Sequence, residues 1–231
     1  MEVEQDQDVD RLNDLLRGLR LHSDINRETG FPLHWNRDDC HQHIVLSDDM
    51  FTATYVGPGQ THNNASSVRA NFSIDPSVGI YYFEIEVVSM GQYGYLGIGL
   101  SMKSTNLNRL PGWDFYSYGY HGNDGLVFNS SGKGDPYGPS YSNGDVVGCG
   151  IHFSRREIFF TKNGQNLGPA VTNEIMIPIE NEKGEFISME DPLADLYPTV
   201  GLMTMGGVLS ANFGQKPFKY DIDTYVRNNQ F

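Results

Sequence analysis

The stretch Ile80-Tyr81-Tyr82-Phe83-Glu84-Ile85-Glu86-Val87-Val88 decides the fold class by its alternation. Successive side chains of an extended segment point to opposite faces. Tyr81, Phe83, Ile85 and Val87 therefore share one face, and Tyr82, Glu84 and Glu86 share the other. That period of two predicts a strand. Outward from it, short runs rich in Val, Ile, Tyr and Phe recur at 44–47, 51–56, 67–73, 94–100, 116–121, 145–153, 156–161, 196–203 and 208–213. Gly, Asn, Asp and Pro separate them. Asn163-Gly164 predicts a type I′ hairpin turn, because both central residues of that turn need positive φ, and Ser142-Asn143-Gly144-Asp145 marks a second turn. Gly94, Gly97 and Gly99 are too many for an ordinary strand and predict bulges or backbones packed beneath a large side chain. Many closely spaced strands with almost no helix predict an all-β fold, a β-sandwich of two antiparallel sheets. The exception is VDRLNDLLRGLRL at 9–21, where Val9, Leu12, Leu15, Leu16 and Leu19 fall at helical spacing and predict a short N-terminal helix, weakened by Gly18.

The 231 residues suit one large all-β domain or two small domains and can bury a core. A hydrophobic fraction of 39%, with 12% aromatics, is too high for a disordered chain. Lys and Arg number 16 against 29 Asp and Glu, for a net charge of -13. Residues 1–30 and 173–195 together carry ten of those net negative charges, so the body is close to neutral. This balance argues against a nucleic-acid partner, whose phosphates are held largely by Lys and Arg. No apolar run approaches the roughly 18 residues of a membrane-spanning helix, and no membrane partner is expected. The opening MEVEQDQDVD has neither the basic nor the apolar region of a secretory signal, which sets the expectation of a cytoplasmic protein. Cys40 and Cys149 are expected to be free thiols.

No complete catalytic set is visible. Gly99-Leu100-Ser101-Met102-Lys103 lacks the closing glycine of a nucleophile elbow. Gly132-Lys133-Gly134 lacks the spacing and the hydroxyl of a phosphate cradle. Asp39-Cys40-His41 with His43 is the one cluster of metal-ligand types, and it has no second half-site. No cofactor and no enzyme activity are expected. The unusual stretch is NLNRLPGWDFYSYGYHGNDG at 106–125, with Trp113, Phe115, Tyr116, Tyr118 and Tyr120 among turn residues. Tyr118 and Tyr120 alternate as strand residues do and are expected in the core or at its rim. The segment 107–115 reads as a loop whose aromatics offer wide contact area at low entropic cost, as protein-recognition loops do.

NRLPGWDFYSYGYHGNDG, SSGKGDPYGPSYSNGDVVGCGIHF, FFTKNGQNLG, LYPTVGL and ANFG follow one another in an order that closely resembles the SPRY domain of the RanBPM family, the Ran-binding proteins of the 9/10 type. PLHWN, SSVRANFSI and GIYYFEIEVVSMG extend the likeness upstream. The resemblance implies a SPRY domain over 31–220 with an acidic insertion at 173–195, between an acidic segment 1–30 and a tail 221–231. It implies a non-catalytic adaptor or scaffold module that binds linear peptide segments of partner proteins. Family members serve within the CTLH (GID) ubiquitin ligase, in the cytoplasm and nucleus, through LisH, CTLH and CRA regions that follow the domain. The alternative reading is a SPRY-only effector, or a competitive regulator of such a scaffold. The peptide-binding loops implied are Gly57-Pro58-Gly59-Gln60-Thr61, Leu110-Pro111-Gly112-Trp113 and Met203-Thr204-Met205-Gly206. Backbone groups with Gln60 and Thr61 would hold the peptide's polar atoms, while Trp113, Tyr116 and Met203 supply apolar contact. Arg69 stands as either a site residue or a structural ion-pair partner.

Overall fold

The computed structural model describes residues 30–59, 61–172, 193 and 195–229. The predicted helix at 9–21, Gln60 and nearly all of the acidic segment 173–195 lie outside the described residues. Fourteen strands run as β1 (Trp35–Cys40), β2 (Ile44–Leu46), β3 (Thr52–Tyr55), β4 (Ser66–Ala70), β5 (Ile80–Met90), β6 (Leu96–Met102) and β7 (Ser117–His121). They continue as β8 (Leu126–Asn129), β9 (Gly134–Pro136), β10 (Val146–His152), β11 (Glu157–Lys162), β12 (Gln165–Thr172), β13 (Leu196–Leu202) and β14 (Gly207–Asn212), followed by helix α1 (Ile222–Asn229). One sheet has the order β1-β4-β13-β6-β7-β8-β9 and the other β12-β11-β10-β5-β14-β3-β2. All neighbouring pairs are antiparallel.

The alternation of β5 sorts its two faces as expected. Phe83, Ile85 and Val87 are fully buried, and Cys149 of β10 and Phe160 of β11 share their face by register. Opposite them the register of the first sheet aligns Val68, Val200, Ile98, Tyr120 and Val127 in one row. The Tyr120 and Phe160 rings meet across the gap at 5.4 Å. Trp35 closes one side, edge-on to Phe213 at 4.9 Å, with its indole N–H donated to the Phe51 carbonyl. Asn163 and Gly164 have φ of 52° and 83°, the pair that a type I′ turn requires. Arg69 is structural: Nε and Nη2 donate to both oxygens of buried Asp39, and Nη1 donates to the carbonyls of Met102 and Thr105. Burial alone would raise Asp39, but the bonds and charges of Arg69 and Lys103 outweigh it and hold the carboxyl below its usual value.

Each outer face is covered by chain. Tyr82 and Glu84, on the mixed face of β5, are both buried because residues 213–229 cross over them. Glu84 accepts from the Tyr82 hydroxyl and from the backbone N–H groups of Lys219 and Tyr220. The Phe218 ring lies edge-on to Tyr82 at 5.1 Å, and Tyr225 of α1 packs on Phe159 at 4.7 Å. The segment read from sequence as a tail thus contains a docked helix. On the first sheet, Gly97, Gly99, Gly119 and Gly201 face outward and leave a trough. A Cβ at Gly201 would lie 2.6 Å from Pro111 Cδ and 2.8 Å from Leu110 Cδ2, so these glycines let the 103–116 loop lie flat on the sheet.

Four strands escaped the sequence reading. β1, WNRDDC, is polar at alternate positions only in part, β8 and β9 are four and three residues long, and β12 contains Gly168 and Pro169. Pro169 is tolerated because β12 is an edge strand.

Candidate functional site

Three connections cross from one sheet to the other at the same end of the sandwich: β3–β4, β5–β6 and β13–β14. A surface cavity of about 430 Å³ opens between them. Gly59, Thr61, His62 and Asn63 line it from the first connection, Tyr93 and Tyr95 from the second, and Met203 from the third. None of these residues carries a carboxylate, ammonium or guanidinium group. Beneath them Ala65, Leu110 and Met203 form a buried apolar cluster, against which Tyr95 and Trp113 pack. Tyr93 and Met205 stand 58% and 56% exposed.

Backbone bonds hold the cavity in shape. The Tyr55 hydroxyl donates to the Asn64 carbonyl and accepts from Gly59 N–H, fastening both ends of the first connection. Burial raises the Tyr55 hydroxyl's pKa, against a smaller opposing pull from that Gly59 N–H. Gly59 has φ of 62°, and a Cβ there would sit 2.8 Å from the Met205 nitrogen, so glycine permits the close approach of two connections. Thr204 Oγ1 accepts from Tyr95 N–H at 3.0 Å, and Met203 N–H donates to the Tyr95 carbonyl at 3.0 Å. Gln92 N–H donates to the Met205 carbonyl at 3.1 Å. The His62 ring stands edge-on to Trp113 at 5.6 Å and to Tyr95 at 6.3 Å.

The 107–113 loop is pinned from below. Leu107 O accepts from Ser67 N–H, Arg109 O from the Ser67 hydroxyl, and Pro111 O from His121 Nε2 at 2.8 Å. A carbonyl only accepts, so Nε2 carries the proton. The His121 ring stacks on Phe128 at 4.1 Å and lies 5.7 Å from Trp113. Burial holds the imidazole down to about 4, against smaller upward pulls from the Pro111 bond and the Asp124 charge.

Gly59, Thr61 and Met203 line the cavity, and Leu110 and Trp113 underlie it. Met205 stands exposed on the connection that supplies Met203, while Thr204 is fully buried and holds Tyr95 in place. Gly57 lies instead over Tyr55 and His43, Pro111 is buried and bonded to His121, and exposed Pro58 is not among the lining residues. The structure does not bring Tyr116 to the cavity: with φ of 57° it ends the loop beside Phe115. His62, Asn63, Tyr93 and Tyr95 were missed. The segment Gly91-Gln92-Tyr93-Gly94-Tyr95, two aromatics between glycines, was the signal that could have found two of them. Among the described residues no group of three His, Cys, Asp or Glu side chains is placed to hold a metal ion, and both cysteines are free thiols. Burial, helped by the Asp39 charge, pushes the Cys40 thiol up to about 11.

Two strapped antiparallel sheets with a loop-rimmed cavity at one end define a SPRY-type sandwich. The SPRY domain family profile matches residues 80–216, and the chain belongs to this family. It is 46% identical over 93% of its length to Ran-binding protein 10 of Danio rerio and 45% identical over 97% to Ran-binding protein 9 of Homo sapiens. It is also 35% identical over 81% of its length to the Ran-binding protein M homolog of Arabidopsis thaliana. The chain spans 32%, 28% and 37% of those relatives, about a third of their length. A crystal structure of a human SPRY domain superposes with a TM-score of 0.57 at 27% identity, covering 76% of this chain and 98% of that one. The SPRY domain of human HERC1 gives 0.59 at 15% identity, covering 79% and 99%, and shares the fold. SPRY domains are protein-binding modules, and this chain is one, of a generally non-enzymatic class.

Proposed function

We propose that this domain is a non-catalytic adaptor that captures a linear segment of a partner protein in the cavity between the β3–β4, β5–β6 and β13–β14 connections. One observation carries the reading: an uncharged cavity, walled by Tyr93, Tyr95 and the polar side chains of Thr61, His62 and Asn63, whose backbone is already fastened by Tyr55, Thr204 and His121. A preformed site does not have to be ordered when the partner binds, which lowers the cost of association. Tyr93, Tyr95 and Met203 provide the apolar contact, and Trp113 supports them from beneath. Likeness to the Ran-binding proteins 9 and 10 supports placing the module in a scaffold of the CTLH (GID) ubiquitin ligase type, acting in cytoplasm and nucleus. The test is affinity capture by the full chain, compared with Tyr93→Ala and Met205→Ala. Both side chains are more than half exposed, so the fold should tolerate their loss. Loss of a defined set of captured proteins in both variants supports the site, and an unchanged set refutes it.

A further inference from the structure

The two tryptophans differ in one respect. Trp35 donates its indole N–H to the Phe51 carbonyl at 3.1 Å, whereas the Trp113 indole nitrogen is buried with no hydrogen-bond partner. A buried indole N–H usually finds an acceptor. Trp113 is backed by His121 and Phe128, with ring centroids at 5.7 Å and 6.3 Å, and it packs on the Leu110–Met203 cluster under the cavity. His62 also packs against it, edge-on at 5.6 Å. His62 is exposed and opens a three-residue 3-10 turn, His62–Asn64, that buries none of its residues. Turning that side chain out into solvent breaks no side-chain hydrogen bond to another described residue and moves no core residue.

From this we infer that His62 is a movable cover, and that the cavity takes an uncharged peptide segment, one of whose amide carbonyl oxygens accepts a hydrogen bond from the Trp113 indole N–H. The inference rests on the peptide-binding reading above and gives that site its chemistry. An acceptor is required because the unmatched group is a donor and nothing else. An uncharged acceptor is favoured because the described lining residues include no Lys, Arg, Asp or Glu, and a carboxylate, phosphate or ammonium would shed its water with no opposite charge among them to meet. Tyr93, Tyr95 and Met203 hold the neighbouring side chains of the segment, so the indole sets register while they provide area.

The probe is a pool of N-acetylated, C-amidated hexapeptides free of Asp, Glu, Lys and Arg, with a matched pool carrying Asp or Lys at a central position. The full chain, 15N-labelled at its two indoles, reports each N–H separately. Binding of the uncharged pool should move the Trp113 indole proton downfield and leave that of Trp35 in place. Trp113→Phe, which keeps an aromatic ring and removes the donor, should weaken binding about tenfold, the equivalent of one good hydrogen bond. His62→Ala should bind several-fold more tightly, because no cover has to move. If neither pool binds, the site itself is refuted and this inference falls with it. If peptides bind while the Trp113 signal stays still, or the charged pool binds better, or His62→Ala binds more weakly, the inference alone is overturned. Should Trp113→Phe melt at lower temperature, the indole shift in the unaltered chain decides.

Discussion

Replacing His121 by glutamine and lowering the pH tests whether a neutral imidazole holds the aromatic loop in place. The ring is 1% exposed, donates from Nε2 to Pro111 O at 2.8 Å and stacks on Phe128. A charge there would be stripped of water, which is why burial holds the group down to about 4 from an ordinary 6.5. With the folded value depressed, the unfolded chain takes the proton first as pH falls. Stability is therefore whole above the ordinary value and is lost progressively between it and the folded one. The linkage relation puts the loss at about 2 kcal/mol between about pH 7 and about pH 5, and at about 3 kcal/mol once both forms are protonated. Glutamine can offer its amide N–H to the same carbonyl and does not titrate. Urea unfolding of both proteins across this window should show the natural chain losing about 2 kcal/mol more than His121→Gln, roughly 1 M in midpoint at an ordinary urea dependence. His41, which burial and the His43 charge also hold below its ordinary value, is common to both proteins and drops out of the difference. Parallel loss in the two proteins would refute the reasoning.

The buried Asp39–Arg69 pair makes a second case. Arg69→Met leaves the carboxylate with Lys103 as its only charged partner among the described residues and the Met102 and Thr105 carbonyls without their donor, and should cost about 3 kcal/mol in urea unfolding. Asp39 stabilises the natural chain as an anion and loses that contribution as pH falls through its depressed value, so the variant's deficit should shrink as the pH is lowered through that range. Gly119→Ala sets a methyl into the Pro111 carbonyl and should loosen the 107–113 loop, seen as faster amide hydrogen exchange there than in the 213–229 segment. Glu84→Ala leaves the Lys219 and Tyr220 N–H groups without their acceptor and the Tyr82 hydroxyl with Thr161 alone, a loss of about 2 kcal/mol or more. Its exchange signature should be the reverse, with 216–229 released and 57–64 unchanged.

The architecture was legible where alternation and turn chemistry are local. IYYFEIEVV sorted its own faces, Asn163-Gly164 announced its turn, and the glycines of GYLGIGL marked a surface that must admit another segment. What the alternation could not say is that the mixed face of β5 is buried too. Glu84 looks like a solvent residue until a chain more than 130 positions away brings two N–H groups to it. Of the three loops expected to bind, only Leu110-Pro111-Gly112-Trp113 lies within a motif of the resemblance; the other two were placed by their order along the chain. The walls of the site were not legible. Tyr93 and Tyr95 lie on a connection whose place beside His62 depends on three crossings between sheets, and no spacing in the sequence encodes that meeting. Tyr116 and Thr204 show the converse: residue types suited to binding, one turned away by a left-handed backbone, the other consumed in holding Tyr95.

The proposed function requires a ready-made rim that grips a partner's extended chain. Hydrogen–deuterium exchange of the full chain with and without a captured partner measures this most directly. Protection confined to 59–63, 93–95, 110–113 and 203–205, with the strands between them unchanged, is the predicted result. Protection centred on the 213–229 strap or on the open edge of β12, or a rearrangement spread through both sheets, would contradict it.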